Sequence, residues 1–311
     1  MDTGLHPARD WPMSQAVVAR DKRVLHLPIA KNASSSLNTL MIELSGHPER
    51  HRLLQNPHRL EASGLLLGEL DLPEAAALLE DPSCFRFAVV RDPVERLASA
   101  FLNKMVQTRT KPENTHAAEI VAEIRGEAPP AAATLERGVS FKEFVGHILA
   151  RPPEVLDTHW RPQILFLGPL DHLRLYTTDG LDVLAHDLSE HIGAPVRIPL
   201  RNQSSVAGGE RTEGLAELLP GEIADPQQVS LSHFYTVPLR AAVEQYFAED
   251  VTLFRRVDAD VKARREALAA AGSKLDGNSR EGAYLPPLTL RKLASLNGMR
   301  RLVGLEPVRR R

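Results

Sequence analysis

The amino-acid sequence predicts an α/β protein in which a parallel sheet is flanked by helices. Three short apolar runs have strand character, and they span residues 24–27, 85–90 and 173–177. A segment with helical periodicity follows each run, and alternation of strands with helices favours parallel pairing. With 311 residues, 43% of them hydrophobic, the chain is long enough to bury one large core.

The expected helices are identified by apolar residues that recur every three or four positions. They span residues 35–44, 93–105, 141–150, 181–192 and 238–247. Residues 110–138 are rich in alanine, proline and glutamate and show little of this periodicity. We therefore expect that segment to cross the core as a lid or a substrate wall, and not as a strand.

The overall charge and the cysteine content limit the classes of function. The formal net charge of -2 at pH 7 argues against a surface that binds nucleic acid. The single cysteine, Cys84, cannot form an internal disulfide. No apolar run reaches the roughly 18 residues of a membrane span, and the N-terminal stretch lacks the apolar centre of a secretory signal. We expect a cytoplasmic protein without a nucleic-acid partner.

Residues 25–41, with the sequence LHLPIAKNASSSLNTLM, pass from an apolar run through a loop of small residues into a helical segment. The first turn of a helix has unpaired N–H groups and a partial positive charge, so this arrangement binds anions. Lys31 lies in the loop and adds a positive charge. The stretch therefore predicts a binding site for a phosphate or a similar anion.

Residues 85–105, with the sequence FRFAVVRDPVERLASAFLNKM, form a second strand–loop–helix pattern. The strand delivers Arg91 at its carboxyl end, while Asp92 and Pro93 suit the cap and the first turn of a helix. Ligands of open α/β sheets bind at the carboxyl ends of the strands, where Lys31 is also expected. The two loops are thus predicted to face one nucleotide from two sides.

The arginines of the second pattern also have a structural interpretation. Arg91 can pair with Asp92 or Glu95, and Arg96 can form a surface or interhelical ion pair. The presence of the lysine loop in the same chain favours the binding interpretation for Arg91.

The two motifs together resemble the signatures of sulfotransferases that use 3′-phosphoadenosine 5′-phosphosulfate (PAPS), especially the branch that contains the carbohydrate sulfotransferases. The first signature has the form K-T-x-G-T-S, and KNASSSL stands in its place. Lys31 matches the lysine, and Ser35 and Ser36 match the hydroxyl pair. Ser34 stands where the family has glycine. The second signature, R-[DNE]-P-x-x-R-x-x-S, is complete at residues 91–99.

The resemblance extends beyond the motifs, because LDTHWRPQILFL, RNQSS and VEQYFAEDVTLFRRV follow in the order that the family has. It covers residues 22–257, which we predict to form a sulfotransferase domain. Residues 1–21 are then an N-terminal extension, and residues 258–311 a helical and basic C-terminal extension. The implied fold is the sulfotransferase fold, a P-loop-like parallel sheet flanked by helices.

The resemblance implies PAPS as the sulfate donor and assigns residues to it. The residues expected at the 5′-phosphosulfate are Lys31, Asn32, Ala33, Ser34, Ser35, Ser36 and Leu37. Arg91 and Ser99 are expected to bind the 3′-phosphate, and Lys31 to stabilise the leaving phosphate. We see no clustered Asp and His residues with ligand spacing in the sequence, so no metal is expected.

An acceptor hydroxyl must lose its proton, and a histidine or a glutamate is the expected base. His58 is the first candidate, because glycan sulfotransferases of the heparan type carry a base histidine between the first helix and the strand of the second motif. His159 is the second candidate, since the His-Trp pair in DTHWRPQ can contact a sugar face. The expected acceptor is a glycan or glycolipid, with a small molecule as the alternative.

Two other functions stay open at this point. A P-loop kinase shares strand–loop–helix phosphate binding, but it requires G-x-x-x-x-G-K-[ST], and no glycine lies between Arg23 and Leu44. A non-catalytic nucleotide-binding protein would keep the fold and lose the reaction. The retention of Lys31, Arg91 and Ser99 together favours the enzyme.

The C-terminal residues 285–311 combine leucines with arginines and a lysine. Such a basic amphipathic segment can make a peripheral contact with an anionic membrane, or dock its leucines on the core or on a second subunit of a homo-oligomer. Gly298 and Gly304 interrupt the helix and shorten its apolar face, which favours docking.

Overall fold

The computed structural model describes residues 7–168, 172–199, 214–223, 225–226, 229–273 and 275. One sheet in these residues has four strands in the order β1 (Val17–Ala19), β2 (Val24–Leu27), β3 (Phe85–Val90) and β4 (Arg174–Thr177). β2, β3 and β4 are parallel, whereas β1 runs antiparallel to β2. The predicted α/β class with a parallel-rich sheet is confirmed.

Strand β1 was not predicted from the sequence. It lies in the predicted N-terminal extension, yet it forms the edge of the sheet, with Val17 opposite His26 and Ala19 opposite Val24. Three buried residues are too few to show the alternation that identifies a strand. The end of the N-terminal extension is therefore part of the core.

The α-helices of the described residues are α1 (Ser34–Leu44), α2 (Arg50–Leu53), α3 (Leu72–Glu80), α4 (Pro93–Phe101), α5 (Thr115–Arg125), α6 (Ala132–Arg137), α7 (Phe141–Leu149), α8 (Leu181–Ile192), α9 (Val237–Tyr246) and α10 (Ala248–Ala270). Four of the five predicted helices correspond to α1, α7, α8 and α9 within one residue. The fifth, at 93–105, divides into α4 and a π-helix at Leu102–Gln107. Short π-helical segments occur often at functional sites, and this one carries Lys104.

The segment 110–138 contains α5 and α6 and no strand, so the expectation that it is not a strand is confirmed, but the sequence did not reveal its helices. Ala117, Ile120 and Val121 of α5 are buried at helical spacing and pack into the core. The signal was weak because the apolar face of α5 is narrow and includes alanine. The role of the segment as a lid or substrate wall stays a prediction.

Gln163 joins the edge of the sheet at which β2 and β3 end. Its Oε1 accepts hydrogen bonds from Asn32 Nδ2 (2.5 Å) and from the backbone N–H of Arg91 (2.9 Å), and its Nε2 donates to the Arg91 carbonyl (2.8 Å). The backbone N–H groups of Gln163 and Ile164 donate to the carboxylate of Asp250 on α10, at 2.7 Å and 3.0 Å. One buried glutamine thus connects the loop after β2, the loop after β3 and α10.

The predicted boundary between residues 257 and 258 falls inside α10. Val257 and Val261 are both buried, and a Cβ atom added at Gly180 would lie 2.5 Å from the Val261 side chain. Helix α10 therefore packs on the sheet domain on both sides of the boundary. The division into domains stays a prediction, and residues 285–311 lie outside the described residues. Among the described helices, none has the length and apolar character needed to cross a membrane.

We predict that Gln163→Leu lowers the free energy of unfolding by about 2 kcal/mol or more, because two buried backbone groups of Arg91 lose their partners. Urea unfolding followed by circular dichroism measures the change. Gln107→Leu is the control, because the Gln107 side chain is exposed and makes one long contact, 3.4 Å, to the Pro226 carbonyl. The control should change stability by less than about 0.5 kcal/mol. Equal effects of the two variants would contradict the bridging role of Gln163.

Candidate active site

The loop after β2 turns sharply before α1 begins. Lys31 and Ala33 have positive φ angles of 70° and 58°, in a left-handed region that is unfavourable for residues other than glycine. Ser34, which stands where the resembling family has glycine, is the first residue of α1 and is not in that region. The backbone therefore accepts serine at position 34, and the unfavourable conformation lies at the lysine itself.

The first turn of α1 is not capped by a side chain. Its N-cap residue is Ala33, which has no side-chain acceptor. In α4, by contrast, the Asp92 carboxylate accepts hydrogen bonds from the N–H groups of Val94 (2.8 Å) and Glu95 (3.3 Å). The start of α1 therefore offers its partial positive charge to an external anion, whereas the start of α4 already has an anionic cap.

Two residues predicted to bind the donor instead build the loop. The N–H of Asn32 donates to the Ile29 carbonyl (3.2 Å), and its side chain donates to the Val89 carbonyl (2.9 Å) and to Gln163. The N–H of Leu37 donates to the Ala33 carbonyl (3.0 Å) inside the helix. These donors are used within the protein, which gives Asn32 and Leu37 a structural role, and their assignment to the phosphosulfate stays a prediction.

Four cationic side chains gather at this edge of the sheet. Burial is the main cause that lowers the pKa of Lys31, to about 7, and the charges of Arg91, Lys104 and Arg96 lower it further. Burial also lowers the pKa of Lys104, against the opposing charge of Asp157. Within the described part of the chain, Lys31 and Lys104 form no ion pair. Such a cluster attracts a ligand that carries several negative charges.

Arg96 holds this edge together. Its buried guanidinium donates to the carbonyl oxygens of Ala30 (2.9 Å), Arg161 (2.8 Å) and Thr158 (3.0 Å). Burial lowers the pKa of Arg96 to about 10, so it stays charged at neutral pH. Arg96 therefore has a structural role, but through buried backbone carbonyls and not through the surface or interhelical ion pair that the sequence suggested. Its side chain fixes the Lys31 loop against residues 158–161.

The predicted 3′-phosphate residues differ in accessibility. Arg91 is 9% exposed, and its Nε and Nη2 atoms lie 3.4 Å and 3.3 Å from a carboxylate oxygen of Glu95. Glu95 has a side chain that is 58% exposed, so this pair is weak and easily exchanged. Ser99 is 0% exposed. Arg91 keeps a small exposed surface for a ligand, whereas the predicted contact with Ser99 requires a movement of its surroundings.

His58 lies beside the start of α1. Its Nε2 is 2.8 Å from the Oγ of Ser35. Burial, followed by the charges of Lys31 and Lys104, lowers the pKa of His58. The ring is therefore neutral at neutral pH and close to the predicted phosphosulfate site.

His159 is paired with a carboxylate that the sequence analysis did not select. His159 Nδ1 lies 2.7 Å from Asp157 Oδ1, and the backbone N–H of His159 donates to the same oxygen at 2.9 Å. On the other side, His116 Nδ1 lies 3.4 Å from Asp157 Oδ2. The i, i+2 spacing of Asp157 and His159 could have indicated this pair from the sequence. His116 lies on α5, far from both along the chain, so no sequence pattern indicated its contact with Asp157.

These three residues also correct the expectation that no Asp and His residues cluster. The ligand atoms of His116, Asp157 and His159 lie within 4.8 Å of one another, as in a site that can hold a metal ion. Ligands of one zinc ion at 2.0–2.1 Å are about 3.3 Å apart, however, so the 2.7 Å contact of His159 and Asp157 fits a hydrogen bond better. The neighbouring charge of Lys104 also opposes a divalent cation.

Comparison with known proteins gives the family of the chain. Residues 14–182, just over half of the chain, match the model of the sulfotransferase family. The chain therefore belongs to the sulfotransferase family. The match includes both predicted phosphate loops and the Asp157–His159 pair.

Similar curated proteins are named carbohydrate sulfotransferases. Carbohydrate sulfotransferase 14 of Homo sapiens is 31% identical over 186 residues, which are 58% of this chain and 47% of the relative. The Mus musculus protein of that name is 35% identical over 123 residues, or 38% of this chain and 31% of the relative. Carbohydrate sulfotransferase 8 of Homo sapiens is 29% identical over 150 residues, or 48% of this chain and 35% of the relative. The chain thus spans from about a third to about half of these relatives. No solved structure matches it.

We predict that Lys31→Met stabilises the fold, most strongly below about pH 7. The pKa of Lys31 in the folded protein, about 7, lies below the ordinary value of 10.5, so the unfolded chain binds more protons between these values. Wild-type stability therefore rises with pH relative to the variant, by up to about 1.4 kcal/mol per pH unit above about pH 7. Chemical unfolding of both proteins at about pH 6 and about pH 9 measures the difference.

The matched control for this prediction is Lys142→Met, since Lys142 is exposed and paired with Glu217 at the surface. The difference between this control and the wild type should stay constant over the same pH range. A Lys31→Met protein that is less stable than the wild type at about pH 6 would contradict the electrostatic account of the site.

Proposed function

We propose that the protein transfers a sulfuryl group from PAPS to a hydroxyl group of a carbohydrate or glycolipid. One observation carries the proposal: Lys31, Arg91 and Lys104 gather beside the uncapped first turn of α1. In a member of the sulfotransferase family, this arrangement suits a donor with phosphates at two ends.

The two loops divide the donor between them. PAPS supplies an activated sulfate and a phosphate leaving group. The N-terminal end of α1, the Ser35 hydroxyl and Lys31 hold the 5′-phosphosulfate. Arg91 exchanges its weak contact with Glu95 for the 3′-phosphate, which a guanidinium can bind with two parallel hydrogen bonds.

The chain's own residues promote the transfer by alignment and by charge stabilisation. The acceptor oxygen forms a bond to sulfur while the bond from sulfur to the 5′-phosphate oxygen breaks. Lys31 stabilises the charge that the leaving phosphate gains, since a bound anion favours the protonated ammonium. A histidine, His58 or His159, accepts the hydroxyl proton.

The carbohydrate acceptor is supported by the names of the similar proteins, which are carbohydrate sulfotransferases. Because the chain spans at most about half of those relatives, the acceptor is part of the proposal. A small-molecule acceptor is the alternative. The cytoplasmic location and the absence of a metal stay predictions.

We predict that the purified protein moves radiolabelled sulfate from PAPS to at least one member of a panel of oligosaccharides, glycolipids and small metabolites. Lys31→Ala should lower the transfer rate about 100-fold or more, because it removes the charge that stabilises the leaving phosphate. Lys142→Ala, at an exposed lysine, is the matched control and should keep wild-type transfer. Thermal melting of all three proteins shows whether each is folded.

The same assay separates the proposal from the alternatives. A P-loop kinase would bind ATP in preference to 3′-phosphoadenosine compounds and would label the acceptor from ATP. A non-catalytic protein would bind the nucleotide without any transfer. Near-normal transfer by Lys31→Ala would refute the role of the lysine.

A further inference from the structure

We propose that Asp157 is a positioning residue that holds His159 as the base for the acceptor hydroxyl, and that His116 holds Asp157 in turn. The inference rests on the proposed function and selects between the two candidate histidines. Neither Asp157 nor His116 was selected from the sequence.

The contact between Asp157 and His159 fixes the proton on the ring. At 2.7 Å, Nδ1 of His159 donates to Asp157 Oδ1, because an ionised carboxylate only accepts. Burial raises the pKa of Asp157, but the hydrogen bonds from the side chain and backbone of His159 lower it, to about 2 overall. With the proton on Nδ1, the lone pair lies on Nε2. That nitrogen can accept a proton from a substrate.

The second carboxylate oxygen is held from another helix. His116, at the start of α5, places its Nδ1 3.4 Å from Asp157 Oδ2, and its ring centroid lies 4.6 Å from that of His159. The ring of His116 also meets Trp160 edge-on at 6.1 Å. Asp157 therefore has a histidine nitrogen near each of its two oxygens, and the direction of the His159 ring is set by packing as well as by hydrogen bonding.

His159 belongs to the same site as the lysine loop. The charge of Lys104 lowers the pKa values of Lys31, His58 and His159, so this one ammonium lies near all three. Arg96 gives a direct link, because one guanidinium bonds to the carbonyls of Thr158 and of Ala30, the immediate neighbours of His159 and Lys31.

The surroundings of the two histidines decide which one can hold a proton during transfer. The charged groups that act on His58 are Lys31 and Lys104, which both oppose an imidazolium, and its Nε2 is already bonded to Ser35. Burial and Lys104 also lower the pKa of His159, to about 4, but Asp157 acts in the opposite direction. Only His159 has a carboxylate that can stabilise the imidazolium as it forms.

The acceptor O–H bond breaks and its proton moves to Nε2 of His159, while the acceptor oxygen bonds to the sulfur of PAPS. The electron pair of the broken sulfur–oxygen bond goes to the 5′-phosphate beside Lys31. The imidazolium that results is paired with Asp157 and later releases its proton to water.

The test compares Asp157→Asn with Glu123→Gln. Glu123 is the matched control, because its carboxylate pairs with His147 at 2.9 Å on the far end of α5. Asp157→Asn should lower kcat about 100-fold or more and leave the Kd of adenosine 3′,5′-bisphosphate within about twofold. His159→Ala should lose as much as Asp157→Asn, and more than His58→Ala. The control should keep wild-type values of both quantities.

The pH profile of kcat and a nitrogen-15 NMR spectrum test whether Asp157 positions His159. Without the carboxylate, the pKa of His159 falls, so the acid limb of the kcat profile should move to lower pH in Asp157→Asn. Nitrogen-15 NMR should show His159 with its proton on Nδ1 in the wild type, and a mixture of tautomers in the variant. If His159 of the wild type carries its proton on Nε2, the inference is overturned. This measurement does not require the acceptor to be known.

The outcomes separate this inference from the proposed function. An active wild type whose Asp157→Asn variant is equally active overturns the role of Asp157 alone. A wild type that neither binds adenosine 3′,5′-bisphosphate nor transfers sulfate overturns both. Loss of more activity in His58→Ala than in His159→Ala returns the base role to His58.

Discussion

The site depends on the mutual repulsion of cations that are held close together where little water reaches them. Burial and the charges of Arg91, Lys104 and Arg96 together lower the pKa of Lys31 to about 7. Charges of one sign in such a place are unfavourable until an anion arrives. A donor with several negative charges relieves this repulsion, so its binding should also stabilise the fold. The left-handed backbone conformation of Lys31 is also unfavourable, so this residue destabilises the fold through its backbone as well as through its charge.

The rest of the structure keeps these cations in place against their repulsion. Gln163 bonds to both predicted phosphate loops and is itself held by Asp250 of α10. Arg96, one of the clustered cations, donates hydrogen bonds to three carbonyl oxygens and so holds the Lys31 loop in place. Because these bonds are buried, the two loops are fixed relative to each other before any ligand binds. Pre-organised charge is the feature that favours catalysis of group transfer.

Much of the fold could be predicted because the signals are local. The runs that became β2 and β3 are mostly apolar, apart from His26 and Arg86, since both faces of each strand are buried. Asp92 with Pro93 marks the start of α4. The sequence could not show contacts between distant segments. Gln163 is separated by more than 70 residues along the chain from each of the two loops that it contacts. His116 contacts Asp157 only because α5 packs beside the turn that carries Asp157. Strand β1 was missed because three residues carry too little pattern.

The central claim is that the two loops bind two phosphates of one nucleotide. The most direct measurement is calorimetric titration of the wild type and Arg91→Ala with adenosine 3′,5′-bisphosphate and with adenosine 5′-phosphate. The account predicts that the wild type prefers the bisphosphate by about tenfold or more, and that Arg91→Ala loses this preference while it keeps most of its affinity for the monophosphate. Equal losses of affinity for both nucleotides would contradict the claim, because Arg91 would then only support the fold.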